Sequence, residues 1–140
     1  MFEIRETKTD LRPALAALLD QQALSAGHKF DVQSICVEAD ANGTLSGGML
    51  AKVMLDRMYV EFLAVAPAAR GQGVGTKLMC HIEWIARERG LKGVYLDTYS
   101  FQAPEFYQKI GYTEFGRLKG SDGGPERIYF EKWFPVENGK

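Results

Sequence analysis

Apolar residues alternate with polar ones near the start of the chain and then follow helical spacing. The alternation around Phe2 predicts a short first strand that ends near Glu6. The leucines that follow predict a helix, with Thr9 or Asp10 as its cap and Gly27 at its end. We therefore expect the chain to open with a strand and a helix.

A run of strands is predicted next. Residues 31–39 and 44–55 are two strand candidates, and the Asn42-Gly43 pair between them favours a tight hairpin. A second turn is expected at residues 55–57. Residues 59–65 are then rich in aromatic and branched side chains, which predicts a further strand with little exposed surface.

The second half of the chain alternates between helices and strands. One helix has an apolar face, carries Glu83 on its opposite face and ends near Gly90. After it we expect a strand, a short helix and two more strands, at Val94–Thr98, Pro104–Gly111, Tyr112–Phe115 and Arg127–Trp133. This order predicts an α/β (α+β) fold, in which helices cover the faces of a mixed sheet.

Length and composition are those of an ordinary globular domain. With 140 residues the chain is long enough for one domain with a core, so we expect a single domain over residues 1–140. A net charge of −1 lacks the basic excess of a general nucleic-acid binder, and no apolar run approaches the roughly 20 residues that span a membrane. Neither nucleic acid nor a membrane is therefore expected as a partner.

The two cysteines and the first residues bear on where the protein works. Cys36 and Cys80 are far apart, and neither has the nearby cysteine or histidine ligands of a zinc site, so we expect no metal. Both thiols are expected to be buried and reduced. The first residues also lack the apolar segment of a signal peptide. Together these features favour a cytoplasmic protein.

Three glycines at alternate positions separate the strand at 59–65 from the helix after it. Gly71, Gly73 and Gly75 allow a tight turn whose N–H groups lie at a helix N-terminus, where a phosphate group is favoured. A dinucleotide-binding Gly-x-Gly-x-x-Gly motif would need glycine or alanine where Thr76 stands. A Walker loop would need Gly-Lys-Ser/Thr, whereas the order here is Gly-Thr-Lys. The spacing therefore predicts a phosphate site of another kind.

The glycine loop resembles the Arg/Gln-x-x-Gly-x-Gly/Ala pyrophosphate loop of the GNAT family of N-acetyltransferases. Arg70, Gly73 and Gly75 stand in the places that this motif requires. Residues 59–65 precede the loop as the family's fourth strand does, and residues 103–112 resemble the family's second signature. The two segments together identify the chain as similar to this family.

The resemblance implies a fold and a co-substrate. The fold is a mostly antiparallel mixed sheet of about seven strands flanked by helices, in which the fourth and fifth strands splay apart. Acetyl-CoA would lie in that opening, held by strand backbone groups and by the glycine loop. The contacts implied are Leu63, Val65, Arg70, Gly71, Gln72, Gly73, Val74, Gly75, Thr76, Ser100 and Tyr107. At Ser100 the chain departs from the family, because many members have asparagine there.

Acetyl transfer to an amine needs a base, a group that stabilises the oxyanion and an acid. Glu61 is the candidate base, on a strand face expected to include Leu63 and Val65; Asp97 or ordered water are alternatives, and Glu61 could instead pair with a neighbouring cation. The resemblance implies that the Val65 N–H polarises the thioester carbonyl and that Tyr107 protonates the departing thiolate. Without the resemblance, Tyr107 would be interpreted as an ordinary core aromatic.

The predicted function is the acetyl-CoA-dependent transfer of an acetyl group to a primary amine of a small molecule or peptide. The alternatives are a non-catalytic acyl-CoA-binding module and a protein-lysine acetyltransferase, although no acidic run marks a site for a basic peptide. The acceptor pocket has five candidate residues and one candidate lid, which are His28, Phe30, Tyr99, Phe101, Gln102 and the loop Lys119–Arg127. Edge strands near the C-terminus would allow a homodimer.

Overall fold

Two units of the chain are distinguished by their internal contacts. The computed structural model describes residues 1–136. The first unit is Met1–Asp31, and the second begins at Val32. Each is described by itself below, and the single domain over residues 1–140 stays a prediction.

The first unit contains one helix, α1, which spans Arg12–Ser25. Its start is stabilised by Asp10, whose carboxylate accepts a hydrogen bond from the Arg12 N–H at 3.0 Å. Its end is closed by Gly27, at a φ of 84°, and by the His28 N–H, which donates to the Ala23 carbonyl at 2.8 Å. The predicted helix and its end at Gly27 are therefore confirmed.

The predicted first strand is wrong. Residues 1–7 have no regular secondary structure, although Phe2 and Ile4 alternate with polar neighbours. A strand needs a neighbour that pairs with its N–H and C=O groups, and within Met1–Asp31 the described residues form only α1. Alternation alone is therefore not enough to make this segment a strand.

The second unit is built on a mixed sheet of six strands, one fewer than the resemblance implied. The strands are β1 (Ser34–Ala41), β2 (Thr44–Met54), β3 (Arg57–Val65), β4 (Gly93–Tyr99), β5 (Thr113–Leu118) and β6 (Arg127–Trp133). Their order across the sheet is β1-β2-β3-β4-β6-β5, and every pair is antiparallel except β3 with β4. Two α-helices, α2 (Val74–Glu88) and α3 (Pro104–Lys109), and a short 3-10 helix at Pro67–Ala69 complete the described part of this unit. The predicted mixed sheet with helices on it is confirmed.

Both predicted turns between the first strands are present. Asn42 and Gly43 have φ angles of 52° and 82°, which match the twist of a two-residue hairpin between β1 and β2. Leu55 has a φ of 55° in the turn that leads to β3 at Arg57. Local sequence therefore predicted the two turns, although β1 runs from Ser34 to Ala41 and not over residues 31–39.

One face of the sheet packs against α2 and forms the core. The helix buries Leu78, Met79, Ile82 and Ala86, and the sheet contributes Met49, Ala51, Met58, Val60, Val94, Leu96, Ile128 and Phe130. We call this face of the sheet the α2 face. The expectation that little of β3 would be exposed is wrong, because Phe62 is 64% exposed in the half of β3 that has no pairing with β4.

A buried carboxylate on α2 joins three parts of the fold. Glu83 was expected on the polar side of the helix, but it is only 6% exposed. It accepts hydrogen bonds from the Tyr112 hydroxyl at 2.8 Å and from the Lys132 ammonium at 3.1 Å, and Lys132 also donates to the Ile110 carbonyl at 2.9 Å. The pKa of Tyr112 is raised, first by burial and then by the Glu83 charge. This network connects α2 with the end of α3 and with β6.

The two cysteines are free, as expected, but both are exposed. The prediction that they are buried is therefore wrong. Cys36 lies on β1, a strand at the edge of the sheet, between the partly buried Ile35 and Val37, so its side chain points away from the core. Cys80 follows the buried Leu78 and Met79 on the outer side of α2.

Within residues 1–136, no helix has the length and apolar character needed to cross a membrane.

Candidate active site

The parallel strands β3 and β4 separate part of the way along their length. They pair from Arg57 opposite Gly93 to Val60 opposite Leu96, and no further. Beyond these positions β3 continues to Val65 and β4 to Tyr99. The splay that the resemblance implied is therefore confirmed, and it leaves one edge of each strand without a strand partner.

The backbone of β3 presents Leu63 and Val65 to this opening. The Ala66 N–H donates to the Ser46 carbonyl on the β2 side at 2.8 Å. Because successive residues of a strand direct their N–H and C=O groups to opposite edges, Ala64 also faces β2 and the two residues beside it face the other edge. An extended, amide-bearing ligand could pair there as an additional strand.

The glycine loop forms a turn at the start of α2. Gly71 and Gly73 have φ angles of 77° and 76°, a region that strongly favours glycine, and Gly73 is the residue that caps the helix. Within residues 1–136, none of the backbone N–H groups from Gly71 to Thr76 has a hydrogen-bond acceptor. These donors and the positive end of the helix dipole suit a phosphate group.

The side chains of the loop differ in what they do. Arg70 is exposed and, among the described residues, forms no ion pair. Thr76 is also exposed, in the first turn of α2. Gln72 donates to the Ala68 carbonyl at 3.2 Å, and Val74 packs beside Gly47. Arg70 and Thr76 are thus exposed, whereas Gln72 and Val74 have partners within the fold, and a contact of any of the four with the cofactor stays a prediction.

We expect Gly73→Ala to raise the Kd for acetyl-CoA about tenfold. An alanine in the left-handed region costs about 1–2 kcal/mol, which the loop would relieve by moving its N–H groups. Gly90→Ala is a matched control, because Gly90 has a φ of 73° at the other end of α2 and, like Gly73, open space where a Cβ would stand. Calorimetry should give both variants a lower Tm and only the first a weaker Kd. An unchanged Kd in Gly73→Ala would contradict the assignment of the loop.

The segment that carries Tyr107 packs directly against the start of α2. A Cβ placed on Gly75 would lie 3.2 Å from the ring of Phe106, so the glycine lets α3 approach the loop closely. The Tyr107 ring is buried between Tyr112 and Phe130, with ring centroids 6.2 and 5.8 Å away. The fold therefore brings together the two segments that resemble the family motifs.

The hydroxyl of Tyr107 is accessible although its ring is buried. No hydrogen bond joins it to another residue in the described part of the chain, and it is not among the fully buried polar atoms, so it keeps contact with solvent. Burial raises the pKa of Tyr107 to about 12, with a smaller contribution from the Asp97 charge. The phenol is therefore protonated at neutral pH, which is the form that an acid requires.

Glu61 lies on the opposite side of the sheet from Leu63 and Val65, so the shared face expected for these residues is wrong. The cause is a β-bulge: Val60 pairs with Ala51 and Phe62 with Leu50, which leaves Glu61 as an extra residue. The bulge puts Leu63 on the α2 face, while the Glu61 carboxylate lies 3.7 Å from the Lys52 ammonium on the other face. Glu61 remains partly exposed in this ion pair.

Asp97, the alternative base, is held in a hydrogen-bonded network that sequence reasoning missed. One of its oxygens accepts from the Tyr59 hydroxyl at 2.7 Å, and the other from the Arg127 guanidinium at 2.8 Å. Burial and the bond to Asp97 raise the pKa of Tyr59 to about 12. Both oxygens of Asp97 therefore have a partner in the fold. These partners are 30 and 38 residues apart along the chain, so no local pattern links them.

The residues after β4 form a fixed turn. The Ser100 hydroxyl accepts from the Glu126 N–H at 3.0 Å, and the Gln102 side-chain oxygen accepts from the Thr98 hydroxyl and the Tyr99 N–H, both at 2.8 Å. Tyr99 stacks on the next aromatic, Phe101, with their centroids 5.5 Å apart. A contact of Ser100 with the cofactor stays a prediction, as does the role of His28 and Phe30, which belong to the first unit.

The loop Lys119–Arg127 has internal contacts and an anchored end. The Gly124 N–H donates to the Ser121 carbonyl at 2.9 Å, and Asp122 adopts a φ of 54°. Glu126 near the end of the loop pairs with Arg117 of β5 at 2.6 Å. Whether the loop closes over an acceptor stays a prediction.

Comparison with known proteins was made by family, by sequence and by structure. Residues 3–112 match the family model described as Acetyltransferase (GNAT) family. An acetyltransferase of Agrobacterium fabrum is 35% identical over 101 residues, which cover 72% of this chain and 73% of that protein. Blasticidin-S acetyltransferase of Streptomyces morookaense is 42% identical over 71 residues, about half of either chain at 50% and 52%.

A solved structure gives the same result for the fold. The crystal structure of an acetyltransferase from Bacillus cereus superposes with a TM-score of 0.80 at 28% identity, over 94% of this chain and 98% of that one. The similarity therefore extends through both the glycine loop and the Tyr107 segment.

Proposed function

Since this chain belongs to the GNAT family of acetyltransferases, we propose that it transfers the acetyl group of acetyl-CoA to the primary amine of a small polar molecule. The donor and the type of reaction follow from the family. A small-molecule acceptor is supported by the relative named for its action on blasticidin S. The observation that carries the proposal is the opening between β3 and β4, with free backbone groups of β3 along it and the glycine loop after it.

The residues present fit acetyl-CoA, which supplies an acetyl group activated as a thioester. Arg70 and the N–H groups of Gly71 to Thr76 would hold its pyrophosphate, because they are positive donors without partners among the described residues. The edge groups of Leu63 and Val65 would pair with the amide-bearing arm. The Val65 N–H is the proposed donor to the carbonyl oxygen that becomes negative during transfer.

An acid and a base are proposed on either face of the sheet at this opening. An alkylamine with a pKa of about 10.4 is mostly protonated at neutral pH, so it must lose a proton before it attacks. Glu61, on the face away from α2, accepts that proton directly or through water. Tyr107, on the α2 side, donates its proton to the departing thiolate. Their separation by the sheet lets the amine and the thioester approach from different sides.

The test is a coupled thiol-release assay on a panel of amines, with acetyl-CoA binding measured alongside by calorimetry. The panel includes polyamines, amino acids, aminoglycosides, blasticidin S and lysine-containing peptides. Turnover of a small amine with a kcat/KM well above that of every peptide is the expected result. A peptide as the best acceptor would contradict the acceptor class, and binding without turnover of any amine would contradict catalysis.

A homodimer is part of the same proposal. β5 lies at an edge of the sheet that residues 1–136 form, so its outer N–H and C=O groups have no strand partner there and could pair with another chain. Light scattering should then give about twice the mass of one chain, and a monomer at all concentrations would remove this part of the proposal.

A further inference from the structure

The guanidinium of Arg127, on the face away from α2, is only partly occupied. The Nε of Arg127 donates to Asp97 at 2.8 Å, while its two terminal nitrogens make no hydrogen bond to another residue within 1–136. Arg117 on the neighbouring strand differs, because Glu114 and Glu126 occupy its Nε and both terminal nitrogens. Arg127 therefore keeps the planar pair of donors that can bind an oxyanion through two bonds.

The position of this guanidinium is fixed by its neighbours. Asp97 is itself held by the Tyr59 hydroxyl, and the guanidinium lies over the ring of Tyr129 with its carbon 5.3 Å from the centroid. The Arg127 side chain is 37% exposed, so ligands can reach it. A cation that is oriented before binding loses little side-chain entropy when a ligand arrives.

The same face carries the proposed base. Glu61 and Tyr59 both lie on it, and Asp97 connects Tyr59 to Arg127. Arg127 is opposite Tyr99, at the end of β4 that has separated from β3. A carboxylate on β3 and the partly occupied guanidinium on β6 therefore flank the opening. Two other cations lie on this face. Lys52 is a point charge already paired with Glu61, and Arg57 donates to Glu131 at 2.9 Å at the paired end of β3, away from the opening.

We propose that Arg127 binds a carboxylate of the acceptor, so that the preferred acceptors are primary amines that also carry a carboxylate. This inference rests on the proposed function and specifies its substrate class. The acceptor's amine would be directed to Glu61 and its carboxylate to the terminal nitrogens of Arg127. A neutral group in place of the carboxylate would leave those donors with water only.

The first test compares free amino acids with their C-terminal amides as acceptors in the thiol-release assay. We expect kcat/KM to be at least tenfold higher for the acids. Arg127→Lys, which keeps the positive charge but not the planar pair of donors, should raise KM for the acids about tenfold, with little change in kcat and none for the amides. Arg117→Lys is the matched control and should keep the preference for acids.

Several outcomes of this test would overturn the proposal. They are equal use of acids and amides by the wild type, an unchanged preference in Arg127→Lys, and a better use of phosphoethanolamine than of every carboxylate-bearing amine. Because Arg127→Lys also alters the hydrogen bond to Asp97, the Tm values of Arg127→Lys and Arg117→Lys are compared with that of the wild type. A loss of activity toward amides and acids alike would point to Asp97 and would count against carboxylate recognition.

A second test does not depend on turnover. The Nε–H resonance of Arg127, assigned by its loss in Arg127→Lys, is followed by NMR while the same acids and amides are added to the protein with coenzyme A. A shift with acids alone supports the inference even if no amine is acetylated, in which case only the proposed function fails. The absence of a shift with any acid would overturn it.

Discussion

Tyr107→Phe is expected to lower kcat about 100-fold, the lower end of what a positioned acid contributes. The variant keeps the aromatic ring that packs on Tyr112 and Phe130 and removes only the hydroxyl. The Kd for acetyl-CoA should therefore stay within about twofold of the wild type. Steady-state thiol release and calorimetry measure the two quantities.

The pH dependence of kcat in the wild type is a second test of the role of Tyr107. Burial raises the pKa of Tyr107 to about 12, so its proton is present at every pH below that value and is lost only as the pH rises through it. We therefore expect no fall in kcat from loss of this proton below about pH 11.

Tyr95→Phe is the control for this experiment. Tyr95 is also partly buried with a raised pKa, but it stacks on Tyr59 on the face away from α2, with the centroids 4.9 Å apart. Its variant should keep kcat within about twofold of the wild type, because no transfer step uses its hydroxyl. Unchanged turnover in Tyr107→Phe would remove Tyr107 from the mechanism, and an equal loss in both variants would indicate a general effect of deleting a hydroxyl.

Local sequence patterns were enough to predict the backbone of the glycine loop and of two turns. Alternate glycines require a particular backbone, and Gly71 and Gly73 adopt the positive φ angles that this spacing predicts. The turns at Asn42-Gly43 and at Gly27 are of the same kind, since each depends on a few adjacent residues. The splay of β3 from β4 followed from the family resemblance and is present.

The arrangement around Glu61 and Asp97 depends on strand register, which a single sequence does not determine. The extra residue at Glu61 reverses the face of every residue after it in β3, so alternation counted from Tyr59 put Leu63 on the wrong side. The bond between Asp97 and Arg127 likewise depends on the pairing of β4 with β6. Only a contact between distant segments distinguishes this surface from an ordinary polar sheet face.

Glu83 illustrates the same limit within a helix. Its sequence neighbours place it on the polar side of α2, next to Arg87 one turn later. Its burial is explained by Tyr112 and Lys132, which reach it from 29 and 49 residues away. A buried carboxylate with such partners contributes to stability in a way that helical periodicity does not reveal.

Glu83→Ala is expected to lower the free energy of unfolding by about 3 kcal/mol. It removes the counter-charge of the partly buried Lys132 ammonium, which keeps only the Ile110 carbonyl, and the acceptor of the Tyr112 hydroxyl. Urea denaturation followed by circular dichroism measures the change. Glu88→Ala is the control, since Glu88 is an exposed carboxylate on the same helix, and it should change stability by no more than about 0.5 kcal/mol.

Glu83→Gln separates the charge of this residue from its hydrogen bonds. The amide oxygen can still accept from Tyr112, but it no longer neutralises Lys132, so we expect a loss of about 1–2 kcal/mol, between the wild type and Glu83→Ala. A loss as large as that of Glu83→Ala would show that the ion pair with Lys132 carries the whole effect. If Glu83→Ala and Glu83→Gln were both as stable as Glu88→Ala, the hydrogen bonds of Glu83 to Tyr112 and Lys132 would not be needed to hold α2, the end of α3 and β6 together. That result would contradict the stabilising role of these hydrogen bonds.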